Sequence, residues 1–239
     1  MRFYVVCITF LLLVSVPLQA QETDVVLQEA ELDSLAPVPD PLYREDQFYA
    51  TITYNVLANS PKDYKQYSFS TGITTGFLRD MPVNKKRNHA IALGAGYSYT
   101  NIKHNLIVQN INGTNTYTIG GNFDKNKLVM HHLEVPLELR WRNSDSISHK
   151  FWRVYLGFKV SYLLYDKAQY EPDTGGTFKV RKDPNMNKWV YGTYISAGWN
   201  TWNFYAYYAL TPIYKEAYTD KNRQLKASSL NLGLVFYIL

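Results

Sequence analysis

From Phe48 onward the chain alternates apolar with small or polar residues in eight separate stretches. A period of two is that of a β-strand with unlike faces. In the last stretch Leu230, Leu232, Leu234, Phe236 and Ile238 share one face, and Asn231, Gly233, Val235 and Tyr237 the other. The first, Phe48 to Leu57, sets Phe48, Ala50, Ile52, Tyr54 and Val56 against Tyr49, Thr51, Thr53 and Asn55. The second, Tyr67 to Leu78, sets Phe69, Ile73 and Phe77 against Ser68, Ser70, Gly72, Thr74 and Gly76, and the third sets Ile91, Leu93, Ala95, Tyr97 and Tyr99 against Ala92, Gly94, Gly96 and Ser98. The fourth, Leu128 to Trp141, carries Leu133, Val135, Leu137, Leu139 and Trp141 opposite Glu134, Pro136, Glu138 and Arg140. The fifth carries Trp152, Val154, Leu156, Phe158, Val160 and Tyr162 opposite Arg153, Tyr155, Gly157, Lys159 and Ser161. Strands over Trp189 to Trp199, Trp202 to Leu210 and Ser229 to Leu239 complete the set.

One face of every strand is apolar enough for lipid, and no segment beyond the first twenty residues approaches the roughly 18 apolar residues of a spanning helix. A bilayer leaves no backbone donor or acceptor unpaired, so such strands span it only as a closed barrel. The expected fold is therefore all-β: an eight-stranded antiparallel transmembrane β-barrel of the outer membrane, its last strand closing on its first. Charges belong on the inner face, because Arg or Lys facing lipid near the midplane costs about 2–4 kcal/mol. Small residues on that face suit a narrow, crowded interior.

The connections give the topology. Asn200-Thr201 is a tight hairpin, Arg79 to Asn88 and Asn143 to Lys150 are modest, and Asn105 to Lys127 and Asp166 to Asn187 are long. Barrels of this kind keep short turns in the periplasm and long loops outside. Both termini are then periplasmic. Trp141, Trp152, Trp199 and Trp202 flank the periplasmic turns, where an aromatic girdle belongs. Asn112-Gly113-Thr114 and Thr174-Gly175-Gly176-Thr177 read as ordinary flexible outer loops.

Arg2, the apolar run from Phe3 to Val16 and Pro17-Leu18-Gln19-Ala20 have the layout of an export signal over residues 1–20, with cleavage before Gln21. Cys7 lies within it, so the mature chain has neither disulfide nor thiol chemistry. Residues 21–42 lack an apolar period and hold Pro37, Pro39 and Pro41, which predicts a mobile, disordered periplasmic tail before a barrel over 43–239. Charge divides unevenly. Residues 21–47 hold eight acids against Arg44 alone, a net −7, whereas the chain from Phe48 holds 23 basic and 12 acidic residues, a net +11. That basic excess reads as rim and loop charge near lipid headgroups and partners, without a nucleic-acid role.

An eight-stranded barrel is just wide enough for side chains to fill it. Glu134, Glu138, Arg140, Arg153 and Lys159 are expected to form an ionic network in that lumen, neutralising one another's buried charge; a proton or ion path is the alternative, and nothing in the spacing favours it. His131 and His132 sit near the outer end of the fourth strand. A histidine base there would suit a lipid-modifying enzyme, but no serine neighbours them and no triad-like pattern is present. Adjacent strand residues face opposite ways, so the two cannot share a metal ion. No catalytic, cofactor or metal site is predicted. The turn from Gly76 to Asn88 carries Arg79, Asp80, Lys85, Lys86 and Arg87, more charge than a turn requires, and is the candidate partner surface: for lipid phosphates, the acidic tail or a periplasmic protein.

At this turn the sequence resembles the PorT family of outer-membrane barrels, components of the type IX secretion system of Bacteroidota. The resemblance runs from about Tyr43 to the C-terminus. It rests on Tyr43-Arg44-Glu45-Asp46-Gln47-Phe48-Tyr49, the Arg79-Asp80-Met81-Pro82 turn with its basic run, Ala92-Leu93-Gly94-Ala95-Gly96-Tyr97-Ser98-Tyr99, the stretch from Leu133 to Arg142, and Phe151-Trp152-Arg153-Val154-Tyr155-Leu156-Gly157. The Glu134-Val135-Pro136-Leu137 pattern alone marks only small barrels in general. The resemblance implies a non-enzymatic protein needed for export of folded cargo, with other secretion components and outer-membrane lipid as partners. It supplies no catalytic residues. A generic small barrel with a structural or surface ligand-binding role is the first alternative, and a lipid-A-modifying barrel enzyme the second.

Overall fold

The computed structural model describes residues 46–143 and 152–238, so the export signal, the acidic tail over 21–42 and most of the Asn143 to Lys150 link lie outside the described residues. Eleven strands follow in order: β1 (Gln47–Ala58), β2 (Thr71–Pro82), β3 (His89–Lys103), β4 (Leu106–Ile111), β5 (Thr114–Ile119), β6 (Lys125–Arg142), β7 (Trp152–Glu171), β8 (Phe178–Arg181), β9 (Trp189–Trp199), β10 (Trp202–Ala209) and β11 (Ser228–Ile238). Eight of them close a ring of antiparallel ladders, β1-β2-β3-β6-β7-β9-β10-β11. β11 returns to β1, pairing from Phe48 with Ile238 to Ala58 with Ser228. These are the eight strands that the alternation predicts, with the predicted faces: Phe48, Ile52, Phe77, Leu93, Leu137 and Leu156 point outward, while Tyr49, Ala92, Glu138, Tyr155 and Val235 are buried inside.

The ring narrows by stacking tyrosine on glycine. Gly157 pairs with Tyr194 across β7 and β9, and a Cβ at Gly157 would overlap the Tyr194 ring. A Cβ at Gly192 would likewise overlap the ring of Tyr207, diagonal to its paired residue Ala209, and one at Gly96 would meet the Tyr49 hydroxyl, which reaches from β1 across Gly76 of β2. A bare backbone on one strand thus accepts the flat ring of a neighbour, which packs a lumen too narrow for two large side chains at one level.

β6 and β7 contain 18 and 20 residues, about twice the 9–11 that a tilted strand needs to cross a bilayer. Their ladder therefore continues beyond the lipid-facing band, up to Lys125 opposite Glu171. There it carries β8, and the β4–β5 hairpin joins beside it. The expectation of an ordinary flexible loop at Asn112-Gly113-Thr114 is corrected, while Thr174-Gly175-Gly176-Thr177 lies exposed outside the strands. Asn112 and Gly113, both with positive φ (50° and 85°), form the two-residue turn of the β4–β5 hairpin. Hairpin and loops pack into a cap with its own apolar core of Tyr64, Ile102, Leu106, Val108, Tyr117, Val180, Met186, Ile213, Tyr214 and Leu225.

Candidate functional site

Two charged clusters lie inside the barrel at different heights. At the short-turn end, Asp80 on β2 is fully buried and meets two guanidinium groups of β6: Arg140 Nη1 at 2.9 Å, and Arg142 through Nη1 at 3.1 Å and Nη2 at 3.0 Å. The register explains the reach. Asp80 faces Ala92 on β3, which in turn faces Glu138 on β6, and Pro82 faces Ala90, which faces Arg140. Two alanines on the intervening strand leave the gap that the long side chains cross. Arg140 Nε also donates to Glu138 Oε2 at 2.7 Å, and Tyr194 OH donates to Glu138 Oε1 at 2.7 Å. The Arg140 guanidinium lies 4.7 Å from the Tyr155 ring centre, and that of Arg153 lies 5.4 Å from Tyr237.

Glu134 is four residues before Glu138 on β6, about 13 Å along the strand. It pairs with Lys159 Nζ at 2.8 Å, and the same ammonium lies over the Tyr207 ring at 4.3 Å and within 3.4 Å of Tyr205 OH. The five residues expected in one network are thus all buried in the lumen but fall into two groups, Glu134 with Lys159, and Glu138 with Arg140, whose guanidinium shares the Tyr237 ring with that of Arg153. Above the upper pair a cavity of about 60 Å³ opens beneath the cap, lined by polar Thr51, Thr53, Ser98, His132 and Asn231 and by apolar Met130, Met186, Val190 and Ile213 among others. It has room for about four waters.

The basic turn separates into surface and interior. Lys85 and Lys86 are exposed, and Arg79 is half-exposed and paired with Asp46 at 3.1 Å. Arg87 has φ 53°, and its carbonyl accepts from Arg142 Nε at 3.1 Å, tying the turn to the buried cluster. Asp80 does not belong to that surface. β2 runs on to Pro82, so Asp80 stays in phase with Gly72, Thr74 and Gly76 and points inward. Arg142 extends the inward phase of Arg140 in the same way, and both are members of the cluster that a strand ending at Leu78 or Trp141 hides. Trp141, Trp152, Trp199 and Trp202 all face outward at this end, with Trp152 and Trp199 in contact at 5.4 Å.

In the cap, Asp183 accepts from Tyr117 OH at 2.7 and 2.9 Å and from Asn115 Nδ2 at 2.9 Å, while its own amide donates to Asp166 Oδ2 at 2.8 Å. Burial raises the Asp166 carboxyl above its ordinary value, and burial with the Asp183 contact raises the Tyr117 hydroxyl. Fully buried His104 accepts the Leu106 amide at Nδ1, and burial pushes its pKa down to about 3. The two histidines of β6 part company as expected: His131 packs outward among tyrosines, and His132 lines the cavity, opposite Ser98 on β3. Among the described residues no group of three or more His, Cys, Asp or Glu is placed to hold a metal ion.

A family model described as an outer membrane protein β-barrel domain matches residues 19–215. The chain belongs to the outer membrane protein β-barrel domain family. Its place is accordingly the bacterial outer membrane, with the exposed apolar band of the eight strands against lipid. No curated protein matches it. Among solved structures it is similar to two mutants of the porin of Rhodopseudomonas blastica, at 7% and 8% identity, over 82% of this chain and 100% of each porin chain, with TM-scores of 0.21 and 0.15. At those scores the similarity carries no argument.

Proposed function

We propose that this barrel is a non-enzymatic outer-membrane component of type IX protein secretion, needed for export of folded cargo, and that it works through the protein face at its short-turn end. The supporting observation is the division of the basic turn. Asp80, Arg140 and Arg142 fill the lumen at that end, while Arg79, Lys85 and Lys86 stand on its rim beside the outward tryptophans. Side chains that seal the passage favour a role at the surface over one in solute transport. In this reading the short turns and both termini are periplasmic, the capped end faces outward, and the partners are outer-membrane lipid and other secretion components on the periplasmic side. Two of the PorT-like stretches, Asp46-Gln47-Phe48-Tyr49 and Arg79-Asp80-Met81-Pro82, meet at this end, where the Asp80 amide donates to Asp46 Oδ1 at 2.8 Å.

A second reading, a small barrel with a structural or surface ligand-binding role, draws support from the cap, whose apolar core gives the long connections a fixed outer surface. The lipid-modifying alternative has less support, since His131 faces outward among aromatic rings and His132 faces the lumen. The two leading readings separate in a strain lacking the gene, compared with a complemented control by proteomics of medium, periplasm and outer membrane. Accumulation of normally released cargo inside an intact envelope is expected. An unchanged exported set would remove the secretion reading in favour of the second.

A further inference from the structure

Beyond the lipid-facing band, the outer face of β3, β6, β7 and β8 changes character within a few rungs of the ladder. Tyr97, Tyr99 and Tyr165 surround the His131 ring, with centroids 5.9, 5.3 and 5.6 Å away, and Tyr97 OH is hydrogen-bonded to His131 Nδ1. Amphipathic rings of this kind mark a membrane–water boundary. Immediately past them the sheet sets cation beside cation. Lys103 on β3 pairs with Lys127 on β6, Lys127 faces Gln169 on β7, and Gln169 faces Lys179 on β8. One rung nearer the membrane Lys167 faces Arg181, and one rung farther Lys125 faces Glu171. Like charges directly opposite each other in a sheet repel. Among the described residues only Lys125 of these six meets a carboxylate, Glu171 at 3.8 Å. Burial and then the charges of Lys125, Lys167 and Lys103 push the Lys127 ammonium below its ordinary pKa, with Glu171 opposing.

On the membrane side of the same tyrosines the surface is hollow. Leu133, Val135, Val160, Tyr162 and Trp189 line an apolar groove of about 270 Å³ open to the outside of the barrel. Leu133 pairs with Tyr162 and Val135 with Val160, so the groove begins two residues from His131 along β6. Cations, aromatic boundary and apolar groove thus follow one another down a single outer face.

We infer that this face binds one phosphorylated anionic lipid of the surrounding membrane, its phosphates held by Lys103, Lys127, Lys167 and Arg181 and an acyl chain lying in the groove. The occupant must bring negative charge to the upper end and hydrocarbon to the lower, and it must sit at the boundary that the tyrosines mark. A phosphorylated lipid does all three. Its phosphates offer several acceptor oxygens to a forked guanidinium and to ammonium groups, and they relieve the repulsion between the lysines. The inference does not depend on the secretion reading.

The test is native mass spectrometry of the full chain, purified in detergent and titrated with diphosphoryl lipid A, phosphatidylcholine or inorganic phosphate. Retention of lipid A well above phosphatidylcholine is expected. A variant with Lys103→Gln, Lys127→Gln, Lys167→Gln and Arg181→Gln should lose that retention at least about tenfold, while keeping the heat-dependent gel mobility of a folded barrel. Val135→Trp, which fills the groove and leaves the cations in place, should weaken retention several-fold. Equal retention of both lipids, no loss in the fourfold variant, or no loss in Val135→Trp would overturn the inference. Displacement of lipid A by millimolar inorganic phosphate would also overturn it, by showing a site for the free anion.

Discussion

Arg142 grips Asp80 at two points, Nη1 to Oδ1 at 3.1 Å and Nη2 to Oδ2 at 3.0 Å, with both side chains wholly removed from solvent. Arg140 shares the same carboxylate at 2.9 Å. One acid therefore holds two guanidinium groups from β6 against β2, across the whole width of β3. Asp80→Asn removes the charge that both depend on. Taking one partner from a buried ion pair costs about 3–5 kcal/mol. Thermal unfolding followed by gel mobility should show a clearly lowered midpoint; a midpoint within a degree or two of wild type would mean that the cluster does not hold the strands.

Tyr194 lies on Gly157 and donates to Glu138, joining the packing of the lumen to its charge. Gly157→Ala forces the ring aside at about 1–3 kcal/mol. Tyr194→Phe keeps the ring and removes a hydrogen bond to a carboxylate, worth about 1.5–3 kcal/mol. Because the two changes act on one ring, Gly157→Ala combined with Tyr194→Ala should cost less than the sum of the separate losses. Strict additivity in urea unfolding would contradict the stacking.

His104 makes the cap sensitive to acid. Its folded pKa of about 3 lies below the ordinary 6.5, so the unfolded cap binds the proton more readily. The stabilising contribution is complete above pH 6.5 and is lost as pH falls toward 3, at about 1.4 kcal/mol per unit once below 6.5. Asp166, raised by burial, has the opposite sign: it takes up a proton more readily in the folded state, and near its ordinary 3.8 it offsets part of the loss. Amide exchange in β4 and β5, corrected for intrinsic rates, should therefore lose protection between pH 7.5 and 5.0, and His104→Asn should flatten that dependence. An equal loss of protection in the variant would show that another group is responsible.

The filled lumen has an electrical consequence. Tyrosine rings on glycine backbones and two paired clusters occupy the passage, and the remaining cavity under the cap has room for only about four waters. Planar-bilayer recordings of the purified barrel should show no reproducible conductance steps. Regular steps from the wild-type chain would mean that the plug opens.

The sequence makes the eight barrel strands legible because the lipid outside and the packed interior each constrain every second residue. Arg153 and Lys159, placed inward by that alternation, are buried as expected. The ends of strands are less legible. Asp80 and Arg142 continue the inward phase past Leu78 and Trp141, yet beside Pro82 and a basic run they read as turn. The cap is hidden for another reason. Leu106, Ile107 and Val108 are buried in succession, so β4 shows no alternation, and the contact of Asp183 with Tyr117 joins residues 66 apart in sequence. Only the Asn112-Gly113 turn announces the hairpin locally.

The central claim is that the basic rim at the short-turn end serves export. The most direct measurement is complementation of a strain lacking the gene with a variant carrying Arg79→Gln, Lys85→Gln, Lys86→Gln and Arg87→Gln, reading cargo in the medium beside the amount of folded barrel in the outer membrane. The account predicts wild-type levels of barrel with cargo export lost or reduced about tenfold or more, as removal of a charged partner surface implies. Full export by the variant, at equal barrel levels, would contradict it.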